Sequence, residues 1–265
     1  MHKLDTYTGS NQQQLALVYL LYISIYVRAV FGFVFPSRQV LASFPHSLPA
    51  MIQSKLRQPV NGLTHLAAAL MSAVGMVLLL WYGAGSLARV VTFVIYTLCL
   101  ILLFSSSSAY HLLRAGPRLH EWLRRLDHSA IFLLIAGSFT PMCYLLLSPP
   151  WRWLMLGSIW AIALAGAGYK LIAGMRFRRA FVGVYLAMGW LGVVPALLVL
   201  QALPAAAFML LVGGGLLYSV GAILYATNWP NPLPGVFGAH EIWHLFVIAG
   251  ATSHYLMHLL YLVKV

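Results

Sequence analysis

Acidic residues are nearly missing from this chain: Asp and Glu together number 4 in 265 residues, against 16 Lys and Arg. Charged residues of all kinds make up 8% and hydrophobic ones 62%. A water-soluble globule of that composition could not cover its own surface with polar groups, so the chain is expected to be an integral membrane protein. The net charge of +12 would suit a nucleic-acid partner. The basic residues, however, fall in short loops between apolar runs, where they report topology, and no nucleic acid is expected. The two cysteines, Cys99 and Cys143, both sit inside apolar runs. That placement excludes a disulfide framework and a cysteine metal site. Strand-like alternation is lacking as well, which excludes a membrane barrel.

What the chain does have is apolar runs of about 20 residues, each long enough to cross the ~30 Å hydrocarbon core as a helix. Seven spans are expected, over roughly 62–83, 90–113, 128–148, 152–172, 180–201, 205–227 and 240–262, giving an all-α seven-helix membrane bundle. Pro141 and Pro195 lie inside the third and fifth spans and should kink them. In the sixth, Gly214, Tyr218, Gly221 and Tyr225 form one stripe, the pattern of close helix packing. Residues 1–50 read as an N-terminal extension to a 51–265 membrane domain. Their apolar run, Leu15 to Phe35, contains Arg28 and is followed by Pro36, Pro45 and Pro49. It fits an extra helix, an interfacial segment, or sequence upstream of a natural start at Met51.

Loop charges orient the bundle. Lys55, Arg57, Arg114, Arg118, Arg124, Arg125, Lys170, Arg176, Arg178 and Arg179 fall on one side, and only Arg89, Arg152 and Lys264 on the other. The positive-inside rule then makes the bundle's N-terminus cytoplasmic and its C-terminus external.

The chemistry centres on His240-Glu241-Ile242-Trp243-His244. Histidines at i, i+4 on a helix lie about 40° apart around the axis and form a chelate suited to zinc. The same letters satisfy H-E-x-x-H, in which the glutamate is the base of a metalloprotease. The expected topology brings His111, Asp127, His128, and His65 with Asn61 to that same membrane face. Ser107 lies four residues before His111, on the same helix face. Asp127, an acid at the start of a span, reads either as a functional group or as a helix-capping one. His120 and His128 read as interfacial polar residues. His254 and His258 continue the stripe of His240, but His254 is about 21 Å further along the axis and cannot share its metal.

These residues together carry a resemblance. Pro59-Val60-Asn61-Gly62-Leu63-Thr64-His65, Ser107-x-x-x-His111, Leu126-Asp127-His128-Ser129-Ala130-Ile131, Gly137-Ser138-Phe139-Thr140-Pro141, the Gly-Tyr stripe, and His240 to His244 with His254 occur in the order of the hemolysin III family. This is the bacterial branch of the progestin and adipoQ receptor superfamily, and the likeness spans about residues 57–262. It implies a zinc site with ligands His111, His240 and His244, a water as fourth ligand, Asp127 bonded to that water, and Ser107 beside it. Many relatives carry an acid before the first helix, where this chain has Arg57 and Gln58. The resemblance also argues against Glu241 as base.

The leading expectation is therefore a zinc-dependent, ceramidase-like hydrolase of a lipid amide or ester in a bacterial inner membrane. In it Asp127 is the general base and Ser107 its helper. The alternative is a non-enzymatic sensor of membrane lipid with structural zinc, closed by a fourth ligand such as His65 or His128. A third is a cytolysin.

Overall fold

The computed structural model describes residues 56–174, 178–199, 203–232 and 237–265. The expectations placed on residues 1–50 lie outside them. Among the described residues the protein is all-helical, with no sheet, and seven helical segments are long and apolar enough to cross a membrane. The helices are α1 (Pro59–Gly83), α2 (Leu87–Leu112), α3 (Pro117–Leu146), α4 (Pro149–Ala173), α5 (Arg178–Trp190), α6 (Val193–Leu198), α7 (Ala205–Thr227) and α8 (Ala239–Tyr261), followed by a short 3-10 turn, Leu262–Lys264. α5 and α6 together make the fifth span.

Two spans depart from expectation. The third was expected to open near residue 128, yet α3 begins at Pro117. Proline suits a first helical turn because its missing N–H has no partner there anyway. The turns that follow are charged, which hides them from a hydropathy reading. They are held by ion pairs of Glu121 with Arg124 and with Arg125, the latter at 3.1 Å. The fifth span is interrupted where a kink was expected. Pro195 cannot donate to the carbonyl of Leu191, and Val194 N–H takes it instead at 3.1 Å, so α5 and α6 separate at Leu191 and Gly192. α3, by contrast, continues through Pro141.

The packing order places α1 between α2 and α8, α3 between α2 and α4, and α7 between α8 and α5, while α3 also meets α5 and α8. α3 and α8 are the inner helices: 61% of each span's apolar window is buried, against 17% for the fifth span. Hydrophobic burial thus fixes in the bundle centre the two helices that carry Asp127, His240 and His244. The Gly-Tyr stripe packs as expected. A Cβ on Gly221 would come 2.9 Å from the Trp243 ring, and one on Gly214 would strike the His254 ring, so only glycine lets α7 lie this close to α8.

The basic groups separate by end. Arg57, Arg114 and Arg125 make their contacts at the end where α1 and α3 start and α4 ends: Arg57 meets the His120 ring, Arg114 reaches Leu56 O, and Arg125 reaches Leu171 O at 2.8 Å. At the opposite end Arg89 bonds Val265 O at 2.8 Å and Arg152 bonds Leu147 O at 3.0 Å.

Candidate metal centre

His111 stands in the last turn of α2, and His240 and His244 in the first two turns of α8. One ligand atom from each lies within 4.8 Å of the other two, an arrangement able to hold a metal ion. The ring centroids are 4.8 Å apart for His111 and His244, 4.9 Å for His240 and His244, and 5.1 Å for His111 and His240. Zinc bonded at ~2.1 Å to tetrahedral ligands needs donor nitrogens about 3.4 Å apart.

The surrounding polar groups test whether a cation fits. His111 and His244 are buried, at 1% and 3% exposure. His111 Nε2 and His244 Nδ1 have no hydrogen-bond partner, and buried orphan nitrogens are costly unless something meets them. The opposite nitrogens are anchored. Gln58 Oε1 can only accept, so His111 must carry its proton on Nδ1 and present the Nε2 lone pair to the centre. The His244 ring is hydrogen-bonded to the Asn61 backbone. Outer partners of this kind are what orient metal-bound imidazoles. His240 packs edge-on against the Tyr225 ring, with centroids 5.4 Å apart. These observations fit a three-histidine site.

Glu241 serves a different purpose from the one its motif suggests. Its carboxylate accepts the Gly238 N–H at 2.8 Å, capping α8, and the Asn61 side-chain N–H at 2.8 Å. The acid therefore ties the start of α8 to α1 and is occupied on both oxygens.

Asp127 and Ser107 lie on the facing helices α3 and α2, 8% and 1% exposed, and the Ser107 hydroxyl bonds the Asp127 carboxylate. Both line a cavity of about 230 Å³ together with His65, His240 and His244. Asp127 is outside the group whose donor atoms converge, so it stands beside the centre. His65 is stacked on His244 with centroids 3.9 Å apart, and among the described residues it is likewise outside that group. His128 bonds Arg124 O at 3.0 Å and lies 3.5 Å from Asp127. His120 stacks on Tyr110 and meets Arg57 at the rim. Sequence reasoning treated Gln58 only as the place of a missing acid and Tyr225 only as packing. A polar residue immediately before a helix-starting proline was the available signal for Gln58.

Residues 53–255 match the family described as Haemolysin-III related. The chain is 36% identical to Hemolysin-3 of Bacillus cereus over 213 residues, covering 80% of this chain and 94% of that protein. It is 35% identical to the Hemolysin-3 homolog of Bacillus subtilis (strain 168) over 207 residues, 77% of this chain and 94% of the relative. Similarity extends to the Heptahelical transmembrane protein ADIPOR3 of Oryza sativa subsp. japonica, 35% identical over 179 residues, which are 59% of this chain and 43% of the plant protein.

Proposed function

The chain belongs to the haemolysin III family of multi-pass membrane proteins, and from that premise we propose that it is a zinc-dependent hydrolase of an amide or ester bond in a membrane lipid. The observation that carries this reading is the meeting of His111 with His240 and His244, the latter two of which line a largely apolar cavity together with Asp127 and Ser107. Three imidazoles leave a coordination position open, as catalytic zinc sites do, whereas a structural site is closed by four protein ligands. When bound, zinc supplies Lewis acidity, polarising a carbonyl and acidifying water.

The protein's own groups complete the chemistry. Asp127 accepts the proton of the attacking water and returns it to the leaving amine or alcohol. Ser107 holds the carboxylate in place. His65, stacked on His244 and lining the cavity, offers a donor to the developing oxyanion. Apolar walls from α3, the fifth span and α7 take the acyl chain, and the substrate enters from the bilayer. The basic end of the bundle, where the centre lies, faces the cytoplasm under the positive-inside rule.

Metal analysis of purified protein, paired with lipid profiling of cells carrying wild type or Asp127→Asn, tests the reading. Expected are about one zinc per chain in both proteins and accumulation of one lipid class in the mutant alone. Zinc absent from wild type, or held undiminished after His111→Ala and His244→Ala, overturns the site. Identical lipid profiles with zinc retained overturn catalysis and favour a sensor.

A further inference from the structure

Asp127 shares its helix face with Arg124 and His128. The three stand at i, i+3 and i+4 on α3, and all of them line the cavity. Arg124 lies about 4.5 Å nearer the start of the helix, at ~1.5 Å per residue, and so toward the basic end of the bundle. In the other direction the wall turns apolar. Ile131, Leu134, Ile135, Phe139 and Met142 line the cavity to about 22 Å beyond Asp127 on the same scale. One helix therefore presents, in order, a cation, an acid and a long apolar surface.

The cation is reachable and only partly compensated. The Arg124 side chain is 36% exposed, and among the described residues its hydrogen bonds go to a single carboxylate, Glu121. That carboxylate is shared, since it also takes Arg125 Nε at 3.1 Å. Lys170 is wholly buried with Nζ 3.5 Å over the Phe181 ring, and its charge and that of Arg124 act on each other. Enclosed as it is, Lys170 adds field and no contact. Arg57 lies over the ring of Tyr110, 4.8 Å from its centroid, and Tyr110 lines the cavity. Four cations thus surround this end of the cavity against two carboxylates, Glu121 and Asp127. Placement of positive charge on the cytoplasmic side explains an exposed residue away from the cavity such as Arg118. It does not explain a guanidinium in the cavity wall. A guanidinium bonds phosphate in two-pronged fashion, and the excess of positive charge favours a group that brings more than one negative charge.

We propose that Arg124 is a specificity-determining residue that binds the phosphate of an anionic acyl lipid, whose chain follows the apolar wall of α3. The proposal rests on the reading of the cavity as a lipid site and adds a substrate class to it: acyl lipids with a phosphate in the head, bound in preference to neutral lipids with the same chain.

The test measures binding without requiring turnover. Full-length protein in dodecyl maltoside is titrated with either of two radiolabelled lipids that differ only in the phosphate, palmitoyl lysophosphatidic acid and monopalmitoylglycerol. Wild type is expected to bind the phosphate-bearing lipid about ten-fold more tightly, the scale of a hydrogen bond to a charged group. Arg124→Gln is expected to equalise the two lipids by weakening the anionic one alone. Arg118→Gln removes the same charge from the exposed surface and should keep the preference. Glu121→Gln frees Arg124 from its competitor and should widen the preference several-fold, a gain that impaired folding would not mimic. Inorganic phosphate at constant ionic strength is expected not to displace the lipid, because it cannot use the apolar wall. Equal binding of the two lipids by wild type, a preference that survives Arg124→Gln or falls equally in Arg118→Gln, or one unmoved by Glu121→Gln overturns the subsite and leaves the lipid reading intact. Displacement by inorganic phosphate marks a free-anion site and overturns the lipid-borne assignment. Failure of both lipids to bind wild type saturably overturns the subsite and the lipid reading together.

Discussion

α8 carries the same spacing twice: His240 with His244, and His254 with His258. Each pair is i, i+4 and each lines the same cavity, yet the two have different surroundings. At the first pair α2 delivers His111, and Gln58 and Asn61 hold the rings by their outer edges so that lone pairs point to one place. At the second pair the neighbouring helices deliver Tyr96, Phe93 and the Leu211 carbonyl, none of which ligates a metal. Spacing along one helix therefore sets up a chelate, and the helices around it decide whether a metal can use it.

The largest effect should separate the pairs outright. His111→Ala or His244→Ala is expected to abolish stoichiometric zinc, read by elemental analysis of purified protein, whereas His254→Ala leaves it in place. Zinc lost equally from both ends would dissolve the distinction. Next in size, Asp127→Asn should keep the metal and lower hydrolysis about 10²–10⁴-fold, the range expected for removing a general base. Quantifying product in lipid extracts checks this.

A smaller change sharpens the role of the outer partners. Gln58→Ala is expected to weaken zinc affinity about 10–100-fold in a chelator competition, as loss of a ligand's orienting partner does. Gln58→Glu, which still accepts from His111 Nδ1, should restore most of it. At the second pair the counterpart is steric. Gly214→Ala puts a methyl into the His254 ring and should destabilise the bundle by about 1–3 kcal/mol, read as a lowered Tm with zinc stoichiometry unchanged. The least effect is expected for Glu241→Ala. It removes the α8 cap and the Asn61 contact, costs about 1 kcal/mol, and leaves zinc bound; were Glu241 the catalytic base, activity would fall as it does for Asp127→Asn.

The failures of sequence reading are local and physical. α3 was expected to start near residue 128 because hydropathy registers membrane depth, and the turns from Pro117 carry Glu121, Arg124 and Arg125, which favour helix through side-chain pairs without being apolar. The interruption between α5 and α6 came from the acceptor that Pro195 cannot use, which frees Leu191 O for Val194. At the site, loop charge and span counting assigned His111, His240 and His244 one depth along with Asp127, His128 and His65, and the family resemblance singled the three out as ligands. Gln58 escaped notice because its function depends on which helix end lies beside it.

By itself the sequence determined the seven spans, the two histidine pairs on α8 and the separation of basic groups to one end. These depend on hydropathy, helical period and loop composition, which are properties of neighbours in the chain. Only the tertiary structure decided that Glu241 caps a helix and holds Asn61, that Gln58 sets the His111 tautomer, and that the second pair meets aromatic rings and backbone carbonyls. Those outcomes depend on how α1, α2 and α3 are rotated against α8, an angle set by packing between segments as much as 180 residues apart.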